Sequence, residues 1–192
     1  MSDIIVALSI VGIAVGRVPR FRMNRATIAL VGATLLVLTG SLSLEEAYAA
    51  VDSNTVVLLF SMMVFNANLR LAGFFTLAGQ ALRRASRGPK SLLFFLILFS
   101  SVLSAFFIND TLVLMMTPIV LDVTLAASLN PVPYLIALAV SANIGSMATV
   151  IGNPQNILIG ASSGIGFGAF SAALAPPALL ILGAAYLLIV LL

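Results

Sequence analysis

Asn143-Ile144-Gly145-Ser146-Met147-Ala148-Thr149-Val150-Ile151-Gly152-Asn153-Pro154-Gln155-Asn156 lies inside an apolar run that occupies residues 131–159. A run of that length predicts a membrane crossing, and this stretch interrupts it. Pro154 removes a backbone donor and disfavours helix at Asn153, and Gly152 lets the backbone open. Freed carbonyls, together with Asn and Thr oxygens, suit a hard monovalent cation such as sodium. The N-terminus of the resumed half-helix suits an anion. A kinked helix with glycines for close packing is the plainer alternative. Against it, Ser146, Thr149, Asn153, Gln155 and Asn156 put five amides or hydroxyls within eleven residues, which is many for packing alone.

The rest of the 192 residues fits a membrane setting. Apolar residues make up 61% and charged residues 8%, against about half and about a quarter in a soluble domain. Too few ionic groups exist to cover a water-facing surface, which excludes a soluble enzyme; the mean hydropathy is +1.21. With no Cys and no His, disulfide frameworks, Cys/His zinc sites and His-based acid/base mechanisms are excluded. The net charge of +3 does not mark a nucleic-acid partner. The basic residues fall in two windows separated by apolar spans, without interleaved aromatics.

Those windows orient the chain. Arg17, Arg20, Arg22 and Arg25 form the first, and Arg70, Arg83, Arg84, Arg87 and Lys90 the second. Basic loops stay in the cytoplasm, so the acidic stretch with Glu45, Glu46 and Asp52 belongs outside. Crossings are expected at 4–15, 26–42, 55–72, 131–159 and 170–192, the last with a kink at Pro176-Pro177. Residues 74–90 read as a cytoplasmic interfacial helix and basic loop, or equally as a continuation of the third span. Residues 91–129 hold two apolar runs, 92–108 and 112–121, joined at Asn109-Asp110-Thr111. They form either two full crossings or a re-entrant hairpin. The second run has about ten residues before Asp122, about 15 Å of helix and half the hydrocarbon thickness, which favours the hairpin. A Gly/Ser-rich outer loop is expected at 160–168.

The expected fold is therefore an all-α integral membrane protein: five transmembrane helices plus one re-entrant helical hairpin, forming one domain over 1–192. Its N-terminus lies outside and its C-terminus in the cytoplasm of a bacterial inner or plasma membrane. Five crossings are odd, so a second fused copy would be inverted, which is the arithmetic of an inverted-repeat secondary transporter. The chain ends on Leu-Leu without a polar anchor. It reads as half of a larger architecture: a truncated product, a fragment, or a half that needs a partner or an oligomer.

The hairpin tip is the second polar interruption. Asn109-Asp110-Thr111 opens a helix, so free N–H groups and the positive dipole end point into the protein. Capping alone is the alternative role, since all three are cap residues. The tripeptide also fits a glycosylation pattern, discounted at membrane depth.

Ser104-Ala105-Phe106-Phe107-Ile108-Asn109-Asp110-Thr111, with Pro118 downstream, and Asn143-Ile144-Gly145 through Gly152-Asn153-Pro154-Gln155-Asn156-Ile157-Leu158-Ile159 resemble the ion transporter superfamily. Its members include arsenite permeases, NhaD-type antiporters, citrate-transporter-like permeases and divalent anion:sodium symporters. The resemblance covers essentially the whole chain as the N-terminal half of a usual member. It implies that Asn109 lies at a cation and substrate site, and that Gly152 and its neighbours complete a sodium site with Asn109 and Asn153. Ile108 and Asp110 depart from the Ser-Asn-Thr tip of the carboxylate symporters. An ionised Asp110 would repel a dicarboxylate, and the Asn-Asp pair is more like the arsenite-permease branch.

The candidate ligands are Asn109, Asp110, Thr111, Asn143, Gly145, Ser146, Thr149, Gly152, Asn153, Pro154 and Asn156. The expected function is secondary transport of a small anion or metalloid, coupled to sodium or protons by alternating access, with no resident cofactor. The alternatives are a non-transporting half-subunit and, more remotely, an intramembrane aspartyl enzyme using Asp110 and Asp122. Asn66 and Asn68, in the third span, either face the hairpin or hydrogen-bond a neighbouring helix, and the structural use is favoured.

Overall fold

The computed structural model describes residues 2–18 and 23–191, with only the backbone of 17 and 18. Arg20 and Arg22 of the first basic window lie outside the described residues. The chain divides into two compact units, Met1–Asp52 and Ser53–Leu192.

In the first unit, α1 (Ser2–Val15) and α2 (Arg25–Leu38) pack antiparallel. Gly32 makes room for the Ser9 hydroxyl and Gly12 for Ile28. The reversal is a two-stranded antiparallel ladder, β1 (Arg17–Val18) with β2 (Met23–Asn24), the one departure from an all-helical description among the described residues. Asn24 caps α2, its Oδ1 accepting from the Thr27 N–H at 2.9 Å. Both helices have 14 residues, about 21 Å, short of the roughly 30 Å hydrocarbon layer. The second span ends at Leu38 rather than at residue 42, because the chain turns at Gly40 (φ +67°). A short α3 (Leu44–Ala49) follows, opened by a reciprocal pair of bonds between Ser43 and Glu46.

The second unit contains α4 (Ser53–Leu71), α5 (Phe74–Ala85), α6 (Pro89–Phe106), α7 (Asn109–Ala126), α8 (Pro131–Ser146), α9 (Pro154–Ser163) and α10 (Phe167–Val190). Of these, α4, α6, α7 and α10 are long and apolar enough to cross a membrane; α8, like α1 and α2, is shorter. The core lies where α6, α7 and α8 meet, around Leu92, Leu96, Leu112, Met116, Val120 and Leu138.

Helices α6 and α8 run parallel and very close. The Tyr134 hydroxyl donates to the Pro89 carbonyl at 3.1 Å near their starts. The Ser100 and Ser141 hydroxyls bond each other midway, and the Ser104 hydroxyl donates to the Ala142 carbonyl at 2.6 Å. Helix α7 returns antiparallel to both. Pro89, Lys90, Asn130, Tyr134, Ile189 and Val190 line one depression, so the C-terminal end of α10 sits at the same end as Lys90.

The second hairpin arm differs from its expectation. The run was read as ending near Leu121 after about ten residues. Instead α7 continues through Pro118 and Asp122 to Ala126, 18 residues in all and equal to α6. Each arm is about 27 Å long, so arm length no longer separates a re-entrant hairpin from two crossings.

Helix α5 is a separate element. Gly73, at φ +77°, breaks it from α4, so it is not a continuation of the third span. Its apolar face carries Phe75, Gly79 and Leu82. Phe74 and Phe75 meet Phe107 at ring separations of 5.6 and 6.4 Å, Gly79 stands against Ile119, and Leu82 shares a wall with Leu92 and Val123. It therefore lies lengthwise along both arms. The expected 160–168 loop shrinks to a turn at 164–166, and α10 continues through Pro176 and Pro177.

Candidate functional site

The interrupted crossing breaks between Ser146, where α8 ends, and Pro154, where α9 begins. Proline at the first helical position lacks a donor the helix does not need there. Asn153 caps α9, its Oδ1 accepting from the Asn156 N–H at 2.8 Å. Asn156, 9% exposed, turns inward. Its Nδ2 donates to the carbonyls of Thr149 at 2.8 Å, Ser146 at 3.2 Å and Met147 at 3.4 Å. One buried amide thus serves the carbonyls that the end of α8 leaves open, which is how irregular backbone survives at this depth.

Two glycines set the spacing. A Cβ on Gly145 would stand 2.1 Å from the Ser101 carbonyl oxygen, and one on Gly152 would stand 2.2 Å from the Ser146 carbonyl oxygen. These are backbone atoms on both sides, so neither contact has room to relax. The Thr149 hydroxyl donates to the Ala105 carbonyl, which fastens the break to the last turn of α6.

The hairpin tip meets this break directly. Asn109 donates its backbone N–H to the Gly152 carbonyl at 3.2 Å and its Nδ2 to Asn143 Oδ1 at 2.7 Å. The cap of α7 is Ile108, which offers no side-chain acceptor, so Asn109 is the first helical residue. Capping is therefore not what the tip residues do in α7.

A cleft of about 260 Å³ opens at this junction, lined by Asn109, Asp110, Asn143, Ser146, Asn153, Pro154 and Gln155. The first turns of α7 and α9 both face it. Asp110, Thr111 and Gln155 carry first-turn N–H groups with no intrahelical acceptor. Each dipole end is worth roughly half a positive charge. Asp110 is the one acid in the lining, which is otherwise dense in uncharged donors and acceptors.

The structure thus brings Asn109, Asp110, Asn143, Ser146, Asn153 and Pro154 to one cleft. Thr111, Gly145, Thr149, Gly152 and Asn156 do not line it; Gly145, Gly152, Thr149 and Asn156 hold the break together from behind. Gln155, counted in the polar cluster but not among the candidate ligands, does line it, and its signal was adjacency to Pro154 in the first turn of α9. For the suggested sodium set, Gly152 already accepts from Asn109, and Asn153 Oδ1 is engaged by Asn156. Asp110 and Asp122 lie twelve residues apart on one helix, about 18 Å, and cannot share a proton as an aspartyl pair must.

Comparison with known proteins agrees with this architecture. Residues 6–192 match the citrate transporter family, CitMHS, and the chain belongs to it. It is an integral membrane protein of a transporter family. It is 39% identical over 159 residues to a silicon efflux transporter of Oryza sativa subsp. japonica, covering 83% of this chain and 33% of that one. It is 34% identical over 145 residues to a Dictyostelium discoideum protein named as an arsB transporter, covering 76% and 26%. An inner membrane protein of Escherichia coli (strain K12) is 33% identical over 128 residues, covering 67% and 34%. The chain spans roughly a third of the length of these relatives. No solved structure matches.

Proposed function

We propose that this chain forms one half of a secondary active transporter for a small anion or metalloid oxyacid. The solute sits in the cleft between the hairpin tip and the broken helix and moves by alternating access coupled to sodium or protons. The observation that carries this reading is the junction of Asn109 with Asn143 and Gly152, which turns two helix starts onto one polar cleft. A lining of uncharged amides and one acid, with no basic side chain, favours an undissociated oxyacid over a dicarboxylate. The names of the silicon efflux and arsB relatives point the same way.

The tip belongs within the hydrocarbon layer, short of its outer face, as a re-entrant hairpin. Helix α10 has 24 residues against 18 in α6, and the two share the Lys90 end, so α6 stops about 9 Å short of the length of α10. At that depth a carboxylate facing lipid is costly. Asp110, Asn143 and Gln155 are exposed on this chain, so an inverted partner half covers them in the assembled transporter. Arg83, Arg84, Arg87 and Lys90 mark the cytoplasmic end, with the C-terminus on that side and the N-terminus outside, in a bacterial inner or plasma membrane.

The test is transport of arsenite and silicic acid into everted membrane vesicles. Asn109→Ala and Asn153→Ala are expected to abolish it while the proteins still reach the membrane. Undiminished transport by both variants rejects the site.

A further inference from the structure

Helix α4 buries Thr55 and Asn66, with Leu59, Met62 and Leu69 half-buried on the same stripe at helical spacing. Asn66 is 1% exposed, and neither its Oδ1 nor its Nδ2 has a hydrogen-bond partner. Asn68, two residues on, differs: it is exposed and its Nδ2 donates to the Val64 carbonyl at 2.8 Å. Asn68 thus bonds a carbonyl of its own helix, and neither asparagine makes the hydrogen bond to a neighbouring helix that the structural use expected. A buried carboxamide with both atoms unpaired lowers stability, and leucine, with the same branching and number of heavy atoms, would avoid that cost.

Its place in the fold is informative. Phe65, the preceding residue, stacks on Phe107 at 6.0 Å, at the joint between α6 and α7. Helix α4 also packs against α7 and α9, the two helices whose first turns face the cleft. The unpaired amide thus sits on the element that backs the hairpin tip, on a side of the joint where neither α8 nor the break supplies a polar group to it.

We propose that Asn66 is a binding residue of the transport path, holding a hydroxyl of the passing solute when the tip moves. The inference rests on the transport reading above. Both atoms of the carboxamide are unsatisfied, which restricts the partner. A bare cation would serve Oδ1 alone, and a carboxylate would serve Nδ2 alone. An undissociated oxyacid serves both, one of its hydroxyls donating to Oδ1 and a neighbouring oxygen of the same solute accepting from Nδ2.

The experiment compares wild type, Asn66→Leu and Asn109→Ala in everted vesicles with silicic acid and with arsenious acid, alongside melting of the purified proteins. Asn66→Leu is expected to melt at or above wild type while its half-saturating solute concentration rises about tenfold for each of the two hydrogen bonds lost. An unchanged half-saturating concentration, or melting well below wild type, overturns the assignment and makes Asn66 a structural residue. Normal transport by Asn109→Ala, or no transport by wild type supplied with its inverted half, removes the transport reading itself, and the role of Asn66 with it.

Discussion

Asn109 gives its side-chain amide proton to the Asn143 oxygen at 2.7 Å, across 34 residues of chain. Its backbone N–H reaches Gly152 as well. One residue therefore ties the hairpin tip to both sides of the break, and the relative position of two helix starts depends on it. Double-mutant analysis should show this coupling. Asn109→Ala and Asn143→Ala are each expected to lower stability by about 1 kcal/mol, and the double variant by less than their sum. Melting curves of the four proteins measure it, and simple additivity would mean that the bond contributes nothing.

Gly145 and Gly152 leave no room for a methyl group, because what they touch is backbone. Gly145→Ala must push α6 and α8 apart, and Gly152→Ala must distort the break. Each is expected to cost about 1–3 kcal/mol or more. Gly183→Ala is the control, with nothing within 4 Å of its added Cβ. Thermal melting in detergent that ranks Gly183→Ala with the other two would contradict the close approach.

Asn156 donates to three carbonyls and has no anionic role open to it. Asn156→Ala removes the donor and leaves buried acceptors unpaired, at about 1–3 kcal/mol. Asn156→Asp turns an acceptor-only group on acceptors and should melt lower still. Equal stability of the aspartate and alanine variants would show that the amide is not facing those oxygens.

The Ser43 backbone N–H and hydroxyl both bond the Glu46 carboxylate, at 2.9 and 2.8 Å, which holds its pKa below the usual carboxylate value, the backbone bond contributing most. A depressed folded pKa means the contribution is present above the unfolded pKa and is lost as pH falls through the lower folded one. Amide protection in α3 is expected to weaken in that acid range, and Glu46→Gln should flatten the response. Hydrogen exchange at neutral and acid pH reads it; a Gln variant with the same acid sensitivity removes Glu46 as the cause.

The site was legible because its signals are local. Pro154 starts α9 where a missing donor costs nothing, and Asn109 opens α7 after the only polar break in a long apolar run. The extent of α7 was not legible: Pro118 and Asp122 each read as stops, yet Met116, Val120 and Thr124 stay buried on one face and carry the helix past both. Nor could spacing reveal that Asn156 and Thr149 face away from the cleft, since their partners are carbonyls on Ala105 and residues 146–149. The serine pairs that bring α6 and α8 together depend on residues about forty apart, which no periodicity within one helix encodes.

That parallel pairing has a consequence for biogenesis. The Ser104 hydroxyl bonds only the Ala142 carbonyl, and Gly145 closes on Ser101, so α6 lacks its closest neighbour until α8 has been synthesised. As the ribosome delivers the chain, both hairpin arms must wait in the translocon or its lipid surroundings with those groups unmet. The arrival of residues 141–145 is the event that locks the hairpin, and in a nascent chain arrested before residue 141 a cysteine introduced at the tip should react faster with a small membrane-permeant thiol reagent than in the full chain.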